Sequence, residues 1–393
     1  MAKSWRTSAW RLTNSFCPGA RGVVGQQRKG RGLAGAVTGL AVGLKDGKDV
    51  FVERNGRLGG ECDAEEKRCR SSYNSHYYMT MPTFAVNRRH FLGSLLGGAA
   101  ALAQAPATPI KATKLDSHIM LLSGDGGNVA IVTAQDGLFM VDGGYPERAA
   151  ELQKAVAAED AHPVRILFNT HWHGDHVGSN EFLGKAGVKI IAQQNAKFWL
   201  TQKVTMEAFN RTVEPLKPEG IPSQIFVDGG KMTFGKQKIE YKWIPNSHTD
   251  NDTYLFFPGS NVLHTGDLYF SGMYPVIDYT TGGWIGGMAT ALDKLLKVGD
   301  AQTKIIPGHG PLSTKADMQA SRDMLHQVFD RLGTWSKKGA SLDDVLKANP
   351  VADLEPRWGQ GVLNGERFVR MAYPSIAKHE ELIKRVGTRR VSW

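Results

Sequence analysis

The hexapeptide "HWHGDH" (171–176) places three histidines and an aspartate in six positions, directly after the apolar run "VRILFN" (164–169). Burying four such groups together without a counter-ion would cost several kcal/mol, so the stretch reads as a metal cradle at the end of a buried strand. On an extended strand end or in a tight turn, His171 and His173 lie two apart and point the same way. One ion can then take both imidazoles, while Asp175 and His176 turn toward a second position, a bend that the small Gly174 is expected to permit. Imidazole with carboxylate suits borderline divalent ions; zinc is the default, with iron or manganese as alternatives.

Closing two sites requires three further ligands, and three candidates follow in similar settings. His248 lies in "PNSHTDND" after the strand-like "KIEYKW", Asp267 in "VLHTGDLYF" after the apolar residues 261–264, and His309 in "IIPGHGP" after 304–306. Each falls just beyond an apolar strand in a loop rich in Gly, Pro, Ser or Asn, where functional ligands tend to sit on a rigid scaffold. The isolated histidines His118, His162, His326 and His379 read as solvated or hydrogen-bonded, and His264 as structural.

Strand and helix signals alternate across the body of the chain. "HIMLLSG" and "NVAIVTAQDGLFMVDGG" read as strands broken by turns at 124–127 and 135–137, and "ERAAELQKAVAAE" (147–159) as a helix. "VKIIAQ", "TYLFFP", "NVLHTGD" and "TKIIP" are further strands, and "MATALDKLLKVG" is a helix. Such alternation implies a layered α/β fold. From Ser313 onward the pattern is helical, with Ser341 the expected N-cap of "LDDVLKA".

The formal charge of +10 would ordinarily raise nucleic acid as a partner. Its location argues against that. Residues 1–80 hold 14 Lys and Arg against 7 Asp and Glu, and with Arg88 and Arg89 they account for nine of the ten charges. The three cysteines, Cys17, Cys62 and Cys69, also fall in this segment, so the body has neither a disulfide nor a thiolate ligand. Residues 1–80 show no sustained periodicity and read as a disordered or non-native extension. "NRRHFLGSLLGGAAALAQA" then runs from paired arginines through a short apolar stretch to a small-residue cleavage site. That is the order of a secretory signal, and it resembles the twin-arginine export type. The expected organisation is an extension at 1–80, a signal peptide at 81–105, a catalytic body at 106–315 and helices at 316–393. The natural start would then be Met79 or Met81, with a periplasmic or secreted product and membrane contact only through export.

"HWHGDH", "SHTDND", "HTGDLYF" and "PGHGP", in that order, resemble the metallo-beta-lactamase superfamily over about residues 115–315. The resemblance implies a four-layer αβ/βα sandwich with the metal site at one edge. His171, His173 and His248 would hold the first ion, and Asp175, His176 and His309 the second. Asp267 would bridge them, an aspartate where the best-known beta-lactamases carry cysteine on the second metal. "VDGG" (141–144) matches an early strand end of the family, with Asp142 steadying the ligands.

Two zinc ions so held would lower the pKa of a shared water and supply a hydroxide nucleophile. Asp175 is the catalytic candidate, orienting the attack. The implied activity is hydrolysis of a small-molecule ester, lactone, thioester or beta-lactam amide. The alternative on the same fold is a mononuclear iron dioxygenase of sulfur compounds. Nitric oxide or oxygen reduction is disfavoured because the flavodiiron branch carries Glu where His173 stands. No basic stripe in the body suggests nucleic acid. The loop 270–288, with Tyr274, Tyr279 and Trp284, would line the pocket or pack the sheet edge, and the C-terminal helices would cap the sandwich or form an oligomer contact.

Overall fold

The computed structural model describes residues 41–45, 48–52, 58–59 and 108–386, and the chain divides into two compact units, Met1–Ala99 and Ala100–Trp393. In the first unit, β1 (Ala41–Lys45), β2 (Lys48–Val52) and β3 (Leu58–Gly59) form an antiparallel sheet. Residues 1–80, expected to be a disordered or non-native extension, thus hold three short strands among their described residues. The remainder of 1–80 and the signal peptide expected at 81–105 lie outside the described residues.

The second unit is built on two sheets. β4 (Lys111–Lys114), β5 (Ile119–Ser123), β6 (Val129–Ala134), β7 (Gly137–Val141), β8 (Val164–Phe168), β9 (Lys189–Gln193) and, after a hairpin of β10 (Val204–Met206) and β11 (Arg211–Val213), β12 (Gln224–Phe226) make a seven-stranded sheet in the order β12-β9-β8-β7-β6-β5-β4. β13 (Gly229–Phe234), β14 (Gln237–Trp243), β15 (Thr253–Phe257), β16 (Val262–His264) and β17 (Lys304–Ile306) make a five-stranded sheet in chain order.

The layering follows from alternation along the strands. In β6, Val129 and Ile131 face one way, and Ala130 and Val132 the other; in β7, Leu138 and Met140 oppose Phe139 and Val141. The first set packs against Leu152 and Val156 of α1 (Ala149–Glu159). The second meets Ile239, Leu255, Phe257 and Ile306 of the five-stranded sheet, forming the core between the sheets. Leu263 and Ile305 share the outer core with α5 (Ile285–Leu295), α6 (Lys315–Lys337) and α9 (Gly365–Val386), through Met288, Leu292, Val328 and Phe368. The result is the αβ/βα sandwich expected from the sequence.

The C-terminal helices, including α7 (Leu342–Ala348) and α8 (Glu355–Trp358), are therefore a cap that shares one core with the sheet. Ser341 caps α7 as expected: its hydroxyl accepts from the Asp344 N–H, and the Asp344 carboxylate accepts from the Ser341 N–H. Among the described residues, no helix is long and apolar enough to cross a membrane.

The short helices α2 (Gly174–Val177), α3 (Asn180–Lys185) and α4 (Gln194–Leu200) follow β8 and β9. β8 lies centrally in its sheet, between β7 and β9, so the hexapeptide emerges from the middle of the fold. The loops after β14, β16 and β17 carry His248, Asp267 and His309 to meet it.

Candidate metal centre

The structure brings the seven expected ligands into two adjoining groups. His171, His173, His248 and Asp267 form one, and Asp175, His176 and His309 the other; the ligand atoms of each group lie within 4.8 Å of one another. Asp267 joins the two. Its Oδ2 lies 3.3 Å from His248 Nε2 and 3.7 Å from His171 Nε2, while its Oδ1 lies 3.1 Å from His176 Nε2 and 3.5 Å from His309 Nε2. One carboxylate thus presents an oxygen to each group.

The donor set fits metal ions. His171 Nε2 and Asp267 Oδ1 are buried without a hydrogen-bond partner, which is costly for polar atoms unless something else satisfies them. His173 Nδ1 and His248 Nε2 approach to 2.9 Å, and His176 Nε2 and His309 Nε2 to 3.3 Å. Nitrogens about 2.0–2.1 Å from one tetrahedral zinc ion stand about that far apart.

The ring orientations are set from outside. His176 Nδ1 lies 2.8 Å from Asp142 Oδ2, and His248 Nδ1 donates to the Val276 carbonyl at 2.8 Å. Each leaves Nε2 for the centre. His173 is turned the opposite way: its Nε2 lies 3.1 Å from Asp278 Oδ2, leaving Nδ1 inward. Asp142 also accepts from the Thr170 N–H at 2.7 Å and hydroxyl at 2.8 Å, anchoring the start of the hexapeptide.

Two glycines let the loops close around Asp267. Gly266 has φ +51°, and a Cβ there would stand 2.5 Å from Thr170 Oγ1. A Cβ at Gly308 would lie 2.0 Å from Asp267 Oδ1. Gly174 differs from expectation. It begins the helical turn α2 without a positive φ, and a Cβ there would meet nothing within 4 Å. The turn redirects Asp175 and His176 through ordinary helical geometry, and Gly174 simply leaves room in the cleft.

Charge within the cluster is divided. Burial and the neighbouring His176 keep His171 well below the ordinary imidazole value, and burial pushes His248 down to about 4. Burial also opposes a charge on His309, but the Asp267 and Asp175 carboxylates prevail and raise it to about 9. The same balance, with Asp142 added, lifts His176. A metal ligand must be a neutral imidazole, so binding competes with protons at His176 and His309 at neutral pH. Metal titrations should show apparent affinity rising with pH up to about 9, by about tenfold per unit for each proton displaced. Uptake should acidify a weakly buffered solution; affinity that does not vary with pH would contradict this.

Asp278 was not foreseen. It is 1% exposed, holds His173 and, through its N–H, bonds the His248 carbonyl at 2.9 Å. It sits in the Gly- and Tyr-rich loop 270–288, where spacing gives no sign of a positioning role. Asp278→Asn should weaken metal affinity by about 10- to 100-fold, measured by competition with a chromophoric chelator, without altering the fold by circular dichroism.

The remaining expectations divide. Tyr274 borders the cleft and stacks on Phe368 at 4.6 Å, whereas Trp284 packs against Phe329 and His379 away from it. Tyr279 lines a separate depression. His264 is buried and structural, within 3.3 Å of the Asn128 carbonyl and accepting from the Gly266 N–H. His162 and His326 pair with Asp160 and Asp293, and His118 is exposed. His379 is half-buried and lies outside both ligand groups; its ring stacks on Trp284 at 3.8 Å, and its Nδ1 has no hydrogen-bond partner among the described residues.

A cleft of about 460 Å³ opens over the centre, lined by His173, Asp175, Asp267 and His309 together with Tyr145, Met206, Phe209, Arg211, Met273 and Val362.

The family model for the metallo-beta-lactamase superfamily matches residues 122–312, a span that contains all seven ligands. Metallo-beta-lactamase IND-1 of Chryseobacterium indologenes is 24% identical over 167 residues, covering 42% of this chain and 63% of its own length. A hydroxyacylglutathione hydrolase of Nostoc punctiforme is 31% identical over 156 residues, covering 39% and 48%. The chain thus spans less than two thirds of the length of these relatives. The solved stereoselective inverting sec-alkylsulfatase Pisa1 of a Pseudomonas species aligns with TM-score 0.55 at 16% identity, over 67% of this chain and 50% of that one, and shares its fold.

Proposed function

The chain belongs to the metallo-beta-lactamase superfamily, and from that premise we propose that it is a dinuclear, zinc-dependent hydrolase of a small-molecule ester, lactone, thioester or beta-lactam amide. The observation that carries the proposal is Asp267, whose two oxygens face two complete groups of ligands. A single-ion oxidase would have no use for Asp175, His176 and His309 as a second set.

Held by these two groups, divalent ions would supply Lewis acidity toward a scissile carbonyl and a source of hydroxide at neutral pH. The chain's own residues do the rest. His171, His173 and His248 fix one side of the centre from buried positions, so that they need not reorganise during turnover. Asp175 reaches into the cleft, with Oδ2 3.2 Å from His309 Nε2. Before metal displaces their protons, His176 and His309 hold its carboxylate below the usual range despite burial; in the loaded centre it would stay ionised, an acceptor that can orient an attacking water.

The relatives named for beta-lactam and hydroxyacylglutathione hydrolysis support the reaction class without selecting a substrate. Export through a twin-arginine-type signal at 81–105 remains part of this proposal and favours an extracellular lactone or beta-lactam. A panel of lactones, thioesters and beta-lactams, offered to the zinc-loaded chain, tests the reading. Hydrolysis of at least one class should appear, vanish with a chelator and return with zinc. No turnover across the panel by protein of full metal content would contradict it.

A further inference from the structure

The hairpin that walls the cleft carries a charge with no ion-pair partner among the described residues. β10 and β11 pair in the register Val204↔Val213, Thr205↔Thr212, Met206↔Arg211. Side chains alternate between faces; accordingly, Met206, Arg211 and Val213 share the face that lines the cleft, while the hydroxyls of Thr205 and Thr212 bond each other at 2.9 Å on the other. Arg211 is itself exposed at the cleft, whose lining includes the apolar Met206, Phe209, Met273 and Val276, and Val362 from the C-terminal cap, beside Tyr145, Glu147 and the candidate ligands. Phe209 is 40% exposed and Val362 71% exposed at the mouth, an apolar surface suited to a bound organic group.

Among the described residues Arg211 makes no ion pair or side-chain hydrogen bond. Arg148, Arg322 and Arg331, by contrast, each hold a carboxylate at 2.6–2.9 Å. Glu147, also on the cleft wall, forms no ion pair with it. A guanidinium is a planar fork of donors matched to a carboxylate.

We propose that Arg211 determines specificity by pairing with a carboxylate on the substrate. The substrate class would then be an ester, lactone, thioester or lactam whose carboxylate is separated from the scissile bond by an apolar body. The inference rests on the hydrolase reading, so its test must fail separately from that reading.

Two probes serve, 4-acetoxybenzoate and its methyl ester, which share the scissile acetyl ester and differ in one remote charge. The ratio of kcat/KM for the acid over the methyl ester should fall about 10- to 100-fold in Arg211→Met, mostly through KM. Arg211→Lys should recover part of the ratio. Binding of the product 4-hydroxybenzoate, measured by calorimetry on the zinc-loaded protein, should weaken by a similar factor in Arg211→Met. An unchanged ratio, or product affinity indifferent to Arg211, would assign carboxylate preference to the metal centre and overturn the proposal. If neither ester is hydrolysed but product binding still depends on Arg211, the anion site stands and the panel of lactones, thioesters and beta-lactams decides the hydrolase reading separately.

Discussion

Asp267→Asn is expected to lower kcat/KM by at least about a thousandfold and to reduce the bound metal. The carboxylate is 3% exposed and surrounded by His171, His176, His248 and His309. Burial opposes its charge, but those four imidazoles hold it well below the ordinary carboxylate range. Asparagine keeps the size and loses the charge, so neither group retains an anionic ligand in common. Lewis-acid stabilisation by metal contributes several kcal/mol to such transition states, and each 1.36 kcal/mol is tenfold in rate; losing even about 4 kcal/mol gives the stated factor. Elemental analysis and steady-state kinetics on the same preparation check it. A variant with full metal content and undiminished turnover would show that the carboxylate does not join the two groups functionally.

The second large effect is expected at Asp142. It is fully buried and adopts φ +64°, a conformation unusual for residues other than glycine but tolerated by Asp and Asn. Its carboxylate meets the Thr170 N–H, the Thr170 hydroxyl and His176 Nδ1. Asp142→Ala leaves these three donors without an acceptor, at about 1–3 kcal/mol each when buried. A loss of about 3 kcal/mol is a large share of ordinary stability and should lower the melting temperature by roughly 6–12 °C. Metal capacity should fall alongside, because His176 loses the group that fixes its ring. Asp142→Asn keeps the backbone geometry and an acceptor for Thr170. It should melt close to the parent protein and still bind metal more weakly, separating the positioning role from the structural one. If Asp142→Ala melted with the parent protein, those hydrogen bonds would not be holding the strand end.

Much of this arrangement was legible from the chain itself. The hexapeptide after β8 and the single ligands after β14, β16 and β17 share one local signature: an apolar strand followed by a polar, glycine-rich loop. That signature is periodic and local, and it placed all seven residues. Asp142 was visible only through the resemblance of "VDGG" at the end of β7 to an early strand end of the family. Asp278 and Arg211 were not, because their roles depend on contacts across 105 residues of sequence for Asp278 and His173, and on which hairpin face meets the cleft for Arg211. Gly174 was misjudged because small size suggested a bend, whereas the backbone there is an ordinary helical start. The three short strands β1–β3 are too brief to establish a period. The C-terminal cap was recognised as helical, but its shared core emerges only when Val328 and Phe368 meet Met288 and Leu292.

Metal stoichiometry measured together with chelator-sensitive hydrolysis is the most direct test that one chain holds two hydrolytic ions. Full-length protein should contain two divalent ions, zinc foremost, and ester or lactone turnover should decline as they are withdrawn and recover on their return. A single iron per chain, with oxidation of a sulfur compound and no hydrolysis, would contradict it.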